Sequence, residues 1–396
     1  MEAATPGSGR RIVSVPMTIR VVEWSTGYLG RMAVEAIAAR PELELVGLYV
    51  SDPAKVGVDA GRLARVDRDL GIASTDDTDA LLALDPDAVV YTAETETRFV
   101  DAISDFCRFL RAGIDVVASG PVLLQYPHGT LPEEMISELA AAGREGGATL
   151  HVNGIDPGFA NDVLPLAMTS LSRRIDHIRV GEIADYSVYH QGETMRRLFG
   201  FGASMDTLPP LLRPGMLAAG WGSVVRQIAA ALEVTLDEPL VERHERLPAD
   251  RDLTLLACEV PAGTQAALRF EVVGQVDGED RIVLEHVTRT AHDQAPDWPR
   301  PDHGDGCYRI EITGDPAMRV EFGHHAEHGD HNVSGMLVTA MRLVNSVEAV
   351  VAAAPGLVYA KDLPMITGRG HFASAQSLAS RVRPSHPVPI AVRVGM

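Results

Sequence analysis

IRVVEWSTGYLGR, residues 19–31, runs directly into MAVEAIAAR. A segment rich in β-branched residues reaches Trp24, a tight turn carries Gly27 and Gly30, and an Ala-rich amphipathic segment follows. That order reads as a strand, a phosphate-cradling turn and a helix. Gly27 lets the backbone approach an anion, Gly30 lets the helix pack on the strand, and the free N–H groups of the first helical turn face the phosphate. Ser25 stands where the usual G-x-G-x-x-G has its first glycine, so the fingerprint is degenerate. On this reading Ser25, Thr26, Gly27, Tyr28, Leu29 and Gly30 hold a dinucleotide pyrophosphate.

The surrounding sequence strengthens the motif. Strand-like apolar runs recur at residues 19–24, 43–50, 88–93, 114–118 and 148–152, with helical patterns near 31–39, 79–84, 98–112 and 132–144 between them. Buried strands separated by amphipathic helices build right-handed βαβ units and a parallel sheet. Residues 18–154 are therefore expected to form a doubly wound α/β domain of Rossmann type. Beyond Gly154, residues 155–332 change character. A turn and helix with Pro157 at its start precede a strand near 176–189, and a long helix spans 212–232. Then come two hairpins, one around Asp277-Gly278 and one around 313–316. This second unit is expected to be α+β, a mostly antiparallel sheet with helices on one side. A third long helix covers 333–353 within a segment ending at 369, residues 1–17 read as a flexible leader, and 370–396 read as a tail.

At 396 residues and 46% hydrophobic, the chain suits two domains with substantial cores. No apolar run approaches the roughly 18–20 residues of a bilayer span, and the N-terminus lacks a secretory h-region. A formal charge of −19 argues against nucleic acid and anionic membranes as partners. Cys107, Cys258 and Cys307 are widely spaced and form no CxxC pair, which suits a reducing cytoplasm and no structural zinc. Only Lys55 and Lys361 occur beside 33 arginines, which leaves little room for lysine chemistry.

Cofactor choice falls at the end of the second strand, in YVSDPAKVGVDAG. Ser51 with Lys55 suits the 2′-phosphate of NADP, while Asp52 leaves NAD open. Ligands bind outside the carboxyl ends of parallel strands, so Thr92, Ala93, Ser119 and Asn153 are further cofactor candidates, although any of them can equally be an ordinary loop residue.

Five stretches in order carry a wider resemblance: STGYLGR, SDPAKVGVDAG, DAVVYTA, NGIDPGFANDVLPLA and DHNVSGMLVTAMRLVNSVEAVVAAAPGL. Over roughly residues 18–368 the sequence resembles the dihydrodipicolinate reductase-like oxidoreductases. The likeness is greatest to the branch of 2,4-diaminopentanoate dehydrogenase and the native amine dehydrogenases. That resemblance implies a Rossmann domain, an α+β catalytic domain and a C-terminal helix returning to the first domain. It also implies a homodimer and NAD(P)H-dependent reduction of a C=N or C=O bond. Two departures stand out. The lysine and serine-rich loop of dihydrodipicolinate reductases do not follow His324-His325. The glutamate that amine dehydrogenases place before a Tyr-Pro pair is missing from SGPVLLQYP, where Val122 and Leu123 stand.

A proton donor or ammonium holder is still needed within about 3 Å of the reacting centre. GEIADYSVYH offers Glu182 and Tyr186, four apart, as catalytic candidates, with Tyr189 and His190 close behind. The alternative is a half-exposed strand whose glutamate meets solvent or an arginine. Glu94 and Glu96 are a weaker pair in what reads as a solvated loop. Asp156, Asn161, Tyr189, His331 and Asn332 are substrate-side candidates, with Asp156 readable as a turn residue and His331 and Asn332 as caps of the last helix. Met216, Trp221, Phe199 and Phe201 are candidate pocket walls. The run His324, His325, His328 and His331, with His303 and Cys307 upstream, reads as a polar loop, and no metal is expected. The expected activity is hydride transfer to a C=N bond of a small apolar substrate. An ammonia-independent ketone or aldehyde reductase and a non-catalytic NADP-binding sensor are the alternatives.

Overall fold

The computed structural model describes residues 18–327, 330–369 and 372. The readings made for the leader 1–17, for His328 and for nearly all of the tail lie outside them.

The first half alternates strand and helix: β1 (Ile19–Trp24), α1 (Tyr28–Ala38), β2 (Leu43–Tyr49), α2 (Ala60–Ala64), α3 (Thr78–Leu82), β3 (Ala88–Tyr91), α4 (Phe99–Arg111), β4 (Asp115–Ala118), α5 (Glu133–Gly146) and β5 (Thr149–Val152). The second half runs α6 (Val163–Thr169), β6 (Arg174–Asp185), α7 (Met216–Ala231), β7 (Val241–Pro248), β8 (Leu253–Thr254), β9 (Glu259–Val260), β10 (Gln265–Val276), β11 (Glu279–Arg289), β12 (Gly306–Asp315), β13 (Met318–Phe322), α8 (His331–Val351) and β14 (Gly356–Leu357).

One sheet has the order β14-β5-β4-β3-β1-β2 and is parallel throughout. β3, β4 and β5 are buried at every position, as strands covered on both faces must be. The order reverses beside β1, which puts the STGYLG turn at the topological switch point where α/β sheets bind ligands. The other sheet has the order β13-β12-β6-β11-β10-β7 and is antiparallel apart from the β6–β11 pair. Asp277 and Gly278 join β10 to β11 with φ of 55° and 79°, the backbone of a two-residue primed hairpin turn. α7 lies on one face of this sheet, burying Leu217, Val224, Val225 and Ile228 among Leu268, Phe270, Ile282 and Leu284.

α8 returns to the first sheet. Its Leu343, Val344, Val347 and Val350 share a core with Val21, Val34, Ile37 and Val90. The sequence shows no run long enough to cross a membrane, whereas α8 meets that length and composition; its second half is taken up by this core. Two boundaries also move. The helix expected from Pro157 begins at Val163, because Asp162 caps it, and Met216, expected in a buried stripe, is 42% exposed at the N-terminal end of α7.

Candidate active site

The dinucleotide turn is built from backbone. Ser25 has φ of 126°, a conformation natural to glycine, at the position where the fingerprint's first glycine is replaced. A Cβ on Gly30 would lie 2.3 Å from the Ser25 carbonyl oxygen and 2.8 Å from Thr92 Oγ1, so only glycine fits. Beside Gly27 the nearest atom to such a Cβ is 3.8 Å away, leaving open space over the turn. No side chain caps α1, whose N-cap is Gly27, so its first-turn N–H groups remain for an anion. Leu29 sends its side chain into the core with α8, leaving only its backbone for that role.

A cavity of about 230 Å³ opens beside this turn, lined by Ser25, Thr26, Gly27, Ser51, Asp52, Lys55, Ala93 and Arg98 among others. Lys55 Nζ donates to Thr26 Oγ1 at 3.1 Å, and Asp52 accepts from the Ala54 N–H as the cap of a short turn. The cradle and its cations fit a dinucleotide. Arg98 escaped the sequence reading, since its solvated-loop context hid that it faces the cavity.

Three cofactor candidates have other occupations. Thr92 donates to Glu23 at 2.5 Å beneath the turn, and burial pushes the Glu23 carboxyl well above the usual range. Asn153 donates to Asp162 at 2.8 Å and accepts from Arg342 at 2.9 Å, so its buried side chain braces the start of α6. Ser119 follows β4 and extends the ladder, its N–H bonded to the Tyr91 carbonyl. Tyr28 is half exposed and stacks on His190 at 5.4 Å, bridging the two halves of the molecule.

The catalytic cluster is built from side chains. Glu182 on β6 is buried, not half exposed, and Tyr186 donates to its Oε2 at 3.0 Å. His286 on β11 reaches the same oxygen with Nε2 at 2.5 Å, and His331 Nε2 lies 4.0 Å from Oε1. The His286 Nδ1 lies 3.0 Å from Thr288 Oγ1, so both ring nitrogens have partners. Burial works against the Glu182 charge, yet the adjoining His286 holds the carboxyl down at about 2; the same pairing raises His286 against its own burial. Burial and the neighbouring Glu182 charge drive the phenols of Tyr186 and Tyr308 far above their normal range.

Asp156 lies in the turn after β5. Its Oδ1 accepts from Asn161 at 2.8 Å and from Trp221 Nε1 at 3.2 Å, while its Oδ2 is shielded from solvent and unpartnered. Burial first, and then the Glu182 charge, push this carboxyl up to about 7. Ligating atoms of Asp156, Glu182 and His286 all lie within 4.8 Å of one another. The imidazole Nε2 is engaged by Glu182 Oε2.

Around the cluster, Phe270 stacks on His286 at 5.0 Å, Trp221 packs edge-on at 5.6 Å, and Tyr189 stacks on Tyr186 at 4.5 Å. Phe199 belongs to this wall and Phe201 packs behind it, whereas Met216 does not join them. The helix-capping role expected of His331 and Asn332 belongs to Asp330, whose Oδ1 accepts from the N–H groups of Asn332 and Val333. Asn332 donates to the Asp185 carbonyl at 3.5 Å and so ties α8 to β6. Of the other histidines, His324 stacks on His331 at 4.5 Å, while His303 and His325 are exposed. Cys307 is buried in an apolar group with Ile183 and Trp298, and Glu94 and Glu96 are exposed.

His286 and Tyr308 were missed from sequence. The available signal was a histidine sharing strand parity with Ile282 and Leu284 on the apolar face of β11.

Residues 159–377 match the family of 2,4-diaminopentanoate dehydrogenase C-terminal domains. An amine dehydrogenase of Streptomyces virginiae is 43% identical over 361 residues, covering 91% of this chain and all of the relative. The chain belongs to this amine dehydrogenase family. It is a nicotinamide-dependent oxidoreductase. A 2,4-diaminopentanoate dehydrogenase of Acetoanaerobium sticklandii is 25% identical over 254 residues, 64% of this chain and 67% of that one. The structure of an amine dehydrogenase from Mycobacterium smegmatis shares the fold with a TM-score of 0.72 at 21% identity, covering 89% of this chain and 98% of that one.

Proposed function

We propose that the protein is an NADP-dependent amine dehydrogenase that interconverts a small apolar amine with its carbonyl compound. The observation that carries this reading is the buried Glu182 carboxylate, held ionised by His286 within aromatic walls. Glu182 takes the place of the carboxylate that SGPVLLQYP lacks. It stabilises the cationic nitrogen of substrate ammonium and iminium, the charge that develops as the C–N bond changes order. Tyr186 fixes the carboxylate's orientation, and Trp221, Phe199 and Tyr189 exclude water and favour an apolar substituent. A bound nicotinamide supplies or accepts the hydride.

Lys55, Ser51 and Arg98 beside the turn support NADP, since Asp52 is engaged in capping its own loop. Lys55→Ala is then expected to weaken NADPH binding by about 1.5–3 kcal/mol, roughly ten- to a hundredfold, with NADH binding little changed. The family resemblance supports a homodimer, and three buried free cysteines suit a cytoplasmic setting.

The test is NADPH oxidation with a panel of apolar ketones and aldehydes, with and without ammonium. Turnover that needs ammonium supports the proposal, and Glu182→Gln should lower kcat by about 10²-fold or more. Equal turnover without ammonium moves the assignment to a carbonyl reductase, the reading that the missing loop glutamate favours.

A further inference from the structure

Glu182 is poorly suited to carry protons. Its Oε2 is committed to Tyr186 and His286, and a carboxylate so paired stays ionised. The hydrogen-bond pattern leaves a different oxygen open. Asp156 Oδ2 is enclosed without a partner, while Oδ1 is fixed by two donors, so the free oxygen has a set direction. The position is also telling. Asp156 sits four residues past the end of β5, and ligands of parallel sheets bind beyond the carboxyl ends of the strands. It thus stands between the cofactor side and the Glu182 cluster, within 4.8 Å of ligating atoms of both Glu182 and His286. Two further polar groups nearby have open positions: Asn161 is fully buried with Oδ1 free of hydrogen bonds, and His331 is 92% buried with no hydrogen bond to either ring nitrogen among the described residues.

Resting on the amine dehydrogenase reading, we propose that Asp156 is the catalytic acid–base of this enzyme, with Oδ2 as the atom that takes and returns the substrate proton. In deamination an N–H bond of the substrate ammonium breaks and an O–H bond forms on Oδ2. The nitrogen lone pair so released becomes the C=N bond as the α-hydrogen leaves with its electron pair for the oxidised nicotinamide. The resulting iminium is paired with Glu182. Water adds to it and the adduct collapses to carbonyl compound and ammonium, while the Oδ2 proton passes to solvent. Amination runs the same steps backwards, with Oδ2 starting protonated.

Two neighbouring carboxyls driven apart in acidity are the usual mark of divided acid–base roles. Glu182 sits at about 2 and Asp156 at about 7. The charged and titratable groups facing Asp156 are Glu182 on β6, His286 on β11 and Tyr308 on β12.

The experiment compares wild type with Asp156→Asn, Asp156→Glu and Trp221→Phe, oxidising an apolar primary amine with NADP⁺ across pH. Wild-type kcat/KM is expected to rise with pH through about 7, because the base must be ionised in the free enzyme. Asp156→Asn should lower kcat by about 10²–10⁴-fold, abolish that limb and leave the NADPH Kd unchanged. Asp156→Glu should recover part of both rate and limb. Trp221→Phe removes a hydrogen bond that favours the anion, so the limb should move to higher pH. A readout free of turnover is the infrared difference between wild type and Asp156→Asn, in which one protonated-carboxyl band should titrate near pH 7. An Asp156→Asn enzyme with wild-type kcat and limb, or a wild type without that band, overturns the assignment. Failure of the amine reading instead shows in the wild type, as turnover indifferent to ammonium.

Discussion

The dinucleotide turn and the carboxylate cluster are built by opposite means. The turn is a continuous stretch, Ser25–Gly30, whose function comes from backbone shape: a strained Ser25, a Gly30 pressed on the Ser25 carbonyl, and open space beside Gly27. The cluster gathers side chains from β6, β11, β12, α7, α8 and the turn after β5, and its function comes from charge held out of water. A site made of backbone fails when atoms are added. A site made of charges fails when one partner is taken away.

The largest expected effect is on the charge pair. His286→Ala leaves Glu182 buried without its counter-ion and should cost about 3–5 kcal/mol of stability. Replacing both residues by apolar ones should recover much of that loss, measured as the urea midpoint. A double variant no more stable than His286→Ala would break the comparison.

The same pair predicts an asymmetric pH profile. Glu182 is held at about 2 in the fold against 4.5 unfolded, so its contribution is complete above 4.5 and is lost as pH falls towards 2. His286 is raised above 6.5, so its contribution is complete below 6.5 and is lost as pH rises through its folded value. The pair therefore contributes most between 4.5 and 6.5. Glu182→Gln should flatten the acid limb of stability measured by denaturant titration.

At the turn, Gly30→Ala forces backbone apart and should cost about 1–3 kcal/mol. Gly27→Ala should leave the unfolding free energy of the ligand-free protein within about 0.5 kcal/mol of wild type. Both should weaken NADPH binding, and a Gly27→Ala protein of undiminished affinity would show that the open space is not where the phosphates lie. At Ser25 the expected effect has the opposite sign. Ser25→Gly relieves the strain of φ 126° and should stabilise the fold by about 1 kcal/mol, read as a higher melting temperature.

How far each region could be read from the sequence follows from the same contrast. The parallel sheet, the Asp277-Gly278 hairpin and the glycine turn are local, and periodicity and turn chemistry reveal local features. Glu182 and Tyr186 were visible because they sit four apart, on and just beyond one strand. His286 lies 104 positions further on and meets Glu182 only because β6 and β11 pair in parallel, with His286 opposite Glu182 in register. Asn153 and Asn332 looked like ligand residues by position, yet each is engaged in bracing another element. Asp162, which caps α6 and gathers Gln125, Asn153 and Gln227, was hidden for the same reason. Networks of distant polar groups leave no periodic trace.

α8 has one further consequence. At about 1.5 Å per residue its 21 residues form a rod of about 30 Å. Its first turn is pinned to the second sheet, through Asn332 on Asp185 and His331 against Gly306, and its last three turns are embedded in the first. A strut fixed at both ends resists swinging of one half against the other, since any such swing must bend the rod or tear out an anchorage.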